Sequence, residues 1–322
     1  MNLIFCVFWC CLFLSSSAQN IDFNNNLSSS LSFFPTTNFK NIVETRWFVQ
    51  DLDHFNNTDN RTWMQRYHVN MKYYKEDGPV FLLVGGREEI SESWMLSGAW
   101  IEYAQIFNAA CFQLEHRYYG MSHPTDNLNT TNLSYLTVEQ ALADMGTFIS
   151  TMMIENKILL DRAKWVGFGS SYSGTLVTWF RVKYPHLLHA AVASSSPLQA
   201  KINFEEYFTT VQDKLLNYNK KCEPSIRQAN NMISDQLKTN YGAKSIQIKF
   251  NTCCRHLTNS TKNIEQLFRD LSRFIGLIVQ YNEDDNHYAK TSNESTLTLA
   301  SLCDTMLNEN LGSTVSITVF NE

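Results

Sequence analysis

The chain has 322 residues, of which 44% are hydrophobic, 13% aromatic and 18% charged, so it can bury a sizeable core. Its formal net charge is −5 at pH 7 and it contains no block of lysines and arginines, so we expect no nucleic-acid partner. The composition is that of a globular protein, with one domain and an insertion.

The N terminus predicts a signal peptide. An uncharged apolar run of about a dozen residues ends in small residues, with Ser16 and Ala18 placed for cleavage before Gln19. A membrane anchor is the alternative, but this run is shorter than the ~20 apolar residues that span a bilayer, and no later segment is longer. We therefore expect no membrane span, entry into the secretory pathway, and an extracellular or lysosomal location.

Seven N-x-S/T sequons agree with that route, although a chain rich in Asn, Ser and Thr contains some by chance. Their concentration in polar, turn-like segments predicts glycosylated surface loops. The sequons are at Asn26, Asn56, Asn60, Asn129, Asn132, Asn259 and Asn293.

Five cysteines remain after the predicted signal peptide. Cys111 lies in an apolar run, which predicts a free buried thiol. The other four, Cys222, Cys253, Cys254 and Cys303, could form two disulfides in the C-terminal third, although the sequence does not determine which cysteines pair. Cys253 and Cys254 would be strained as partners of each other. No Cys/His spacing resembles a zinc site, so we expect neither a metal nor another cofactor.

Predicted strands and helices alternate between residues 45 and 200. Strands are expected in RWFVQDLDHF, TWMQRYHVN, GPVFLLVGG, AACFQLEH, KWVGFG and LHAAVASSSP, and helices in SESWMLSGAWIEYAQIF, TVEQALADMGTFISTMMIENK and SGTLVTWFRVKYP. This alternation predicts an α/β fold with a parallel sheet and helices on its faces.

Ser171 lies in VGFGSSYSG, where a predicted strand turns into a helix. Such a turn exposes the serine hydroxyl and leaves the N–H of Tyr172 unpaired at the helix start, where an oxyanion could bind. Gly86, in the VGG that follows an earlier strand, would supply the second donor. A helix N-cap serine and an ordinary glycine turn are the alternatives, and the motif alone does not decide between them.

Longer strings resemble one peptidase family. QDLDHF, GPVFLLVGG, FQLEHRYYGMS, NLSYLTVEQALAD and GFGSSYSGTLVTWFRVKYPHLLHAAVASSSPLQA occur in order between about residues 46 and 207. They resemble the lysosomal and secreted serine peptidases that include prolyl carboxypeptidase, dipeptidyl peptidase II and the thymus-specific serine protease, with the thymus-specific branch nearest. The resemblance implies an α/β-hydrolase core with a helical insertion, a peptide substrate, and an acyl-enzyme on Ser171. Several members cleave after proline near a peptide terminus.

The chain departs from the family pattern at two places near Ser171. Ser173 and Ser170 replace glycines that many members carry beside the nucleophile. GGREEI replaces the usual Gly-Gly-Glu-Gly-Pro, which leaves the shape of the oxyanion loop open and adds the charge of Arg87.

We divide the chain into a signal peptide, a polar segment, the first part of the core and a helical insertion that forms a cap domain. These are residues 1–18, 19–44, 45–204 and 205–322. The late strands of the core, which carry the Asp and His of the triad in α/β-hydrolases, are not recognisable. We therefore expect the chain to be truncated at its C terminus.

Local pairs are poor substitutes for those partners. Asp285 with His287, and Asp53 with His54, are too close in sequence to place an imidazole between a carboxylate and Ser171. Asp53 and His54 are expected to be a structural polar pair, and His116 an ordinary surface or strand-end histidine. The sequence predicts a serine peptidase. The alternatives that stay open are an inactive secreted binding protein and a fragment of a carboxylesterase-like hydrolase. A homodimer is also open as the oligomeric state.

Overall fold

The computed structural model describes residues 42–155, 163–250, 252, 256–258, 260–282 and 298–308. The predictions for Asn26, Asn259, Asn293, Cys253, Cys254, Asp285 and His287 lie outside these residues. The described chain divides into two compact units, one up to Ala200 and one from Lys201 onward.

The first unit is built on a six-stranded sheet. Its strands are β1 (Glu44–Asp51), β2 (Thr62–Asn70), β3 (Val80–Val84), β4 (Ala110–Leu114), β5 (Trp165–Ser170) and β6 (Ala190–Ser194), in the order β1-β2-β4-β3-β5-β6. β1 and β2 pair antiparallel, as do β2 and β4, whereas β4, β3, β5 and β6 pair parallel. The predicted α/β class is confirmed, and the carboxyl ends of four parallel strands lie at one edge.

Three α-helices and two short 3-10 helices accompany these strands among the described residues. The α-helices are α1 (Ala99–Phe107), α2 (Val138–Glu155) and α3 (Tyr172–Lys183), and the 3-10 helices are Glu92–Met95 and Asn132–Tyr135. The prediction of one helix over residues 91–107 is wrong, because the chain breaks at Gly98. Its φ of 94° is unfavourable for residues other than glycine, so the helix restarts after it.

The central strands are buried on both faces, as their continuous apolar sequences require. On one face Phe112 of β4 lies against Phe148 of α2 and stacks on Trp165 of β5, with ring centroids 5.9 and 5.7 Å apart. On the other, Cys111 and Phe168 pack in a second apolar cluster. Cys111 is a free thiol, as predicted, and burial raises its pKa to about 12.

The regular secondary structure in the described residues of the second unit is all helical. Its helices are α4 (Glu206–Tyr218), α5 (Cys222–Leu237), α6 (Asn240–Lys249), α7 (Thr261–Gln280) and α8 (Leu299–Met306). α5 ends at Leu237, and Thr239 caps α6 by accepting from the N–H of Gly242 at 3.0 Å. A disulfide joins Cys222 to Cys303. No helix in the described part of the chain is long and apolar enough to cross a membrane.

Candidate active site

Ser171 forms a sharp turn between β5 and α3. Its φ of 55° and ψ of −126° lie outside the conformations that residues with a side chain favour, which marks local strain. Its N–H donates to the carbonyl of Ser194 on β6 at 2.9 Å, which fixes the turn to the neighbouring strand. The side chain is exposed, and no described residue hydrogen-bonds to its hydroxyl. The turn therefore presents a free hydroxyl at the carboxyl edge of the sheet.

Small residues allow this turn to close. A Cβ added to Gly169 would lie 2.6 Å from the nitrogen of Gly174, so only glycine lets β5 approach the first turn of α3 so closely. Ser173 is buried, and its hydroxyl donates to the carbonyl of Ser170 at 2.9 Å and accepts from the Ser170 N–H at 3.1 Å. Serine at position 173 is thus accommodated, and its hydroxyl ties the end of β5 to the start of α3.

The loop after β3 lies beside the turn. A Cβ added to Gly86 would lie 3.7 Å from the Cβ of Ser173 and 4.0 Å from its nitrogen. Arg87 follows, exposed and without an ion pair to any described residue. Burial raises the pKa of the Tyr172 phenol, and the positive charge of Arg87 acts against that effect. The loop therefore carries a cation, without an ion pair among the described residues, whose charge acts on the residue next to Ser171.

His116 is buried against this site, which the sequence interpretation as an ordinary surface or strand-end histidine missed. Its Nδ1 lies 2.7 Å from the carbonyl oxygen of Arg117 and its Nε2 lies 3.1 Å from the phenol oxygen of Tyr172. A carbonyl only accepts, so Nδ1 carries the proton. Burial lowers the pKa of His116, so the ring is neutral and Nε2 accepts from the Tyr172 hydroxyl.

A buried ion pair lies behind His116. Arg117 donates to both carboxylate oxygens of Asp144 on α2, and His54 Nε2 lies 2.7 Å from Asp144 Oδ1. Asp53 accepts a hydrogen bond from Gln140 of α2 instead. Asp53 and His54, expected to be a structural polar pair, thus each bond to α2.

Glu115 is a second buried charge that sequence reasoning did not find. Its carboxylate accepts from Arg66 at 2.6 Å, from the Ser122 hydroxyl at 2.6 Å, and from the backbone N–H groups of Ile90 and Met121 at 3.1 Å each. These bonds join β2, the loop after β3 and the LEHRYYGMS segment. The signal was available, because the charged residues of LEHR directly follow a fully buried strand.

The asparagines of the predicted glycosylation sequons differ in solvent exposure. The sequon residues Asn56, Asn60 and Asn129 are exposed, whereas Asn132 is partly buried and donates from Nδ2 to the backbone and side-chain oxygens of Asn127. No cluster of three or more metal-binding side chains occurs in the described ranges.

A sequence model of the peptidase family described as serine carboxypeptidase S28 matches residues 50–322. A Caenorhabditis elegans protein whose name describes it as a serine protease is 37% identical over 250 residues, which cover 77% of this chain and 48% of that protein. Human thymus-specific serine protease is 32% identical over 248 residues, covering 75% and 48%. Bovine lysosomal Pro-X carboxypeptidase is 32% identical over 234 residues, covering 70% and 46%.

The chain thus spans about half the length of these relatives. Human thymus-specific serine protease and bovine lysosomal Pro-X carboxypeptidase are equally identical to the chain, at 32%. The expectation that the thymus-specific branch is nearest therefore stays a prediction. Among solved structures, the thioesterase domain of the curacin biosynthetic pathway has a TM-score of 0.35 at 16% identity, over 53% of this chain and 51% of that one. A Bacillus anthracis α/β-fold hydrolase has a TM-score of 0.33 at 12% identity, over 54% and 55%.

Proposed function

The chain belongs to the serine carboxypeptidase S28 family of peptidases, and we propose that Ser171 is its nucleophile, which attacks a peptide carbonyl to form an acyl-enzyme. One observation carries this proposal. Ser171 stands on a strained turn at the carboxyl edge of an α/β-hydrolase sheet with its hydroxyl free of bonds to described residues. A structural serine at a helix start would normally cap the helix, and this one does not.

The surroundings of Ser171 suit the charge that develops in such a reaction. The first N–H groups of α3 have no partner within the helix, so the N–H of Tyr172 is available to the oxygen of a tetrahedral intermediate. The backbone of Gly86, beside the turn, is the proposed second donor. The general base and its orienting acid are proposed to lie outside the described residues, since no described side chain bonds to the Ser171 hydroxyl.

Arg87 favours a carboxypeptidase over a dipeptidyl peptidase. A guanidinium group binds a carboxylate through two parallel hydrogen bonds, and Arg87 has no carboxylate partner among the described residues. A peptide whose free C-terminal carboxylate lies one residue beyond the scissile bond would supply that partner. We also propose a preference for proline, by analogy with the relative named lysosomal Pro-X carboxypeptidase. The fold itself does not indicate this preference.

The proposal extends to the secretory processing of the protein, its location and its domain organisation. We propose removal of residues 1–18, N-glycosylation, and an extracellular or lysosomal destination, supported by the sequons and by the lysosomal relative. Residues 205–322 are proposed to form the cap domain. N-terminal sequencing of the secreted protein and a mobility shift on glycosidase treatment test the route; a retained Met1 without a shift would exclude it.

A fluorophosphonate probe tests the nucleophile in the longest protein that the gene encodes. Labelling and peptide cleavage should both disappear in Ser171→Ala, since the members of a triad act as a unit. Ser170→Ala is the matched control, because Ser170 is an exposed neighbour and only its backbone bonds to Ser173. Labelling that survives in Ser171→Ala would move the nucleophile elsewhere. A wild-type protein without labelling or cleavage would favour an inactive binding protein, and cleavage of esters alone a carboxylesterase.

A further inference from the structure

We propose that His116 is a positioning residue, which holds the backbone N–H of Tyr172 at the oxyanion site by accepting a hydrogen bond from the Tyr172 phenol. This inference rests on the proposed function of Ser171. It assigns a role to the LEHRYYG segment, which the reaction itself does not use.

The geometry begins with the place of Tyr172. It directly follows Ser171 and is the first residue of α3, so a rotation of its backbone would change the direction of the N–H that the oxyanion needs. Its side chain is fixed at two points, by the 3.1 Å bond between the phenol oxygen and His116 Nε2 and by the contact of the two rings, whose centroids are 5.5 Å apart. The far end of Tyr172 is thus held while its backbone faces the site.

His116 is itself held in place. Its Nδ1–H donates to the carbonyl of Arg117, and its ring meets the ring of Tyr119 edge-on at 5.2 Å. Arg117 is bound to Asp144 of α2 through two hydrogen bonds of 2.7 Å. A continuous series of bonds therefore runs from α2 through Arg117 and His116 to Tyr172, and each member is at least partly buried.

The arrangement requires a neutral His116. A protonated ring would donate from both nitrogens, and Nε2 could no longer accept from Tyr172. Burial lowers the pKa of His116, and so does the charge of Arg117, whereas the hydrogen bond to the Arg117 carbonyl and the charge of Asp144 raise it. The rings of Tyr172 and Tyr119 face the imidazole. Burial outweighs the two effects that raise the pKa and keeps the ring neutral.

Kinetics of variants in the longest protein that the gene encodes provide the first test. Tyr172→Phe removes only the donor hydroxyl. His116→Leu removes the acceptor nitrogen together with the Nδ1–H donor and the ring contacts of His116. Each variant should lower kcat by about 10- to 100-fold, which does not exceed the effect of removing a whole oxyanion donor. KM should change by less than about threefold. His116→Gln keeps an acceptor oxygen near the position of Nε2 and should recover most of the lost kcat. Tyr119→Phe, which leaves the ring contact with His116, is the control.

The double variant separates positioning from general stability. If His116 acts through Tyr172, then adding Tyr172→Phe to His116→Leu should lower kcat no further than His116→Leu alone. Multiplied losses would overturn the inference, as would a kcat of wild-type size in Tyr172→Phe. Should His116→Leu fail to fold, Tyr172→Phe and His116→Gln still decide.

A measurement without catalysis keeps this inference separate from the proposed function. With ¹⁵N-labelled histidine, His116 should show the neutral Nδ1–H form at pH 7, and Tyr172→Phe should shift its Nε2 resonance. An Nε2–H form would overturn the inference even in an active enzyme. Conversely, Ser171→Ala without effect on cleavage would end the proposed function while the His116 resonance stayed as expected.

Discussion

Arg117 and Asp144 form a buried, two-bond ion pair that connects the loop after β4 to helix α2. Nε and one terminal nitrogen of Arg117 each donate at 2.7 Å to a different carboxylate oxygen, and neither side chain is more than 2% exposed. A third nitrogen reaches the carbonyls of Leu52 and Tyr135 at 3.1 and 3.0 Å. One guanidinium group therefore joins three parts of the first unit.

The first prediction is that Arg117→Met destabilises the first unit by about 3 kcal/mol or more, because it leaves the Asp144 carboxylate buried without its main partner. The measurement is urea unfolding followed by tryptophan fluorescence. This probe is selective within the 322-residue chain, since residues 201–322 contain no tryptophan. The described first unit contains Trp47, Trp63, Trp94, Trp100, Trp165 and Trp179.

Arg227→Met is the matched control for that experiment. Arg227 pairs with Glu223 within α5, but 60% of its side chain is exposed. Loss of such a pair costs about 0.5 kcal/mol or less. Equal destabilisation by the two substitutions would show that burial of the Arg117 pair contributes nothing special.

The second prediction concerns the disulfide between Cys222 and Cys303. The two residues are 81 positions apart, and a crosslink that closes a loop of this length stabilises by about 4 kcal/mol in the chain-entropy account. Replacing both cysteines with alanine should lower the midpoint of the unfolding transition that circular dichroism detects for the helices. The midpoint detected by tryptophan fluorescence should stay unchanged.

That difference arises because the second unit contains no tryptophan and is helical in its described residues. Non-reducing peptide mapping of the wild-type protein should recover Cys222 linked to Cys303. A bridge from Cys222 to Cys253 or Cys254 instead would contradict the structure. A parallel loss of both transitions would show that the units unfold together.

The sequence predicted the alternation of strands and helices because continuous apolar runs such as β3 and β4 have few alternatives to burial in a parallel sheet. It failed where backbone conformation decided, as at Gly98, whose positive φ divides the helical segment. Ser171 could be singled out because a strand-to-helix turn between small residues has a local signature.

The contacts behind Ser171 could not be predicted in the same way. His116 is 56 residues from its partner Tyr172, and Arg117 is 27 residues from Asp144. Pairing of these residues depends on how β4, α2 and α3 pack, and one sequence carries no signal for such distances. Only the run of charged residues after the apolar strand β4 indicated that those charges need buried partners.

The third prediction is that Cys111 resists alkylation in the native protein. Burial raises the pKa of its thiol from 9.0 to about 12, so the reactive thiolate is scarce at pH 8. Mass spectrometry after iodoacetamide treatment should find Cys111 unmodified in native protein and modified after denaturation in urea. Rapid native modification would contradict the burial of β4.

The same shift predicts a loss of stability at high pH. The folded state keeps the Cys111 proton while the unfolded state releases it above about pH 9, so the contribution is present below pH 9 and declines as pH rises toward 12. Cys111→Ala should lack this part of the alkaline decline. Identical alkaline profiles for the two proteins would contradict the assignment to Cys111.

The last prediction concerns Arg87 and rests on the proposed carboxypeptidase activity. Matched peptides that differ only in a free or amidated C terminus should be cleaved with kcat/KM values at least about tenfold apart, since a hydrogen-bonded ion pair to a carboxylate contributes about 1.5 kcal/mol or more. Arg87→Gln should reduce that ratio toward one by lowering cleavage of the free acid alone. Arg61→Gln, an exposed arginine bound to Asp59 and Tyr135, is the control that should preserve the ratio. If Arg87→Gln lowers cleavage of both peptides equally, its charge acts on the reacting centre and not on the substrate carboxylate; if neither changes, Arg87 has no part in recognition.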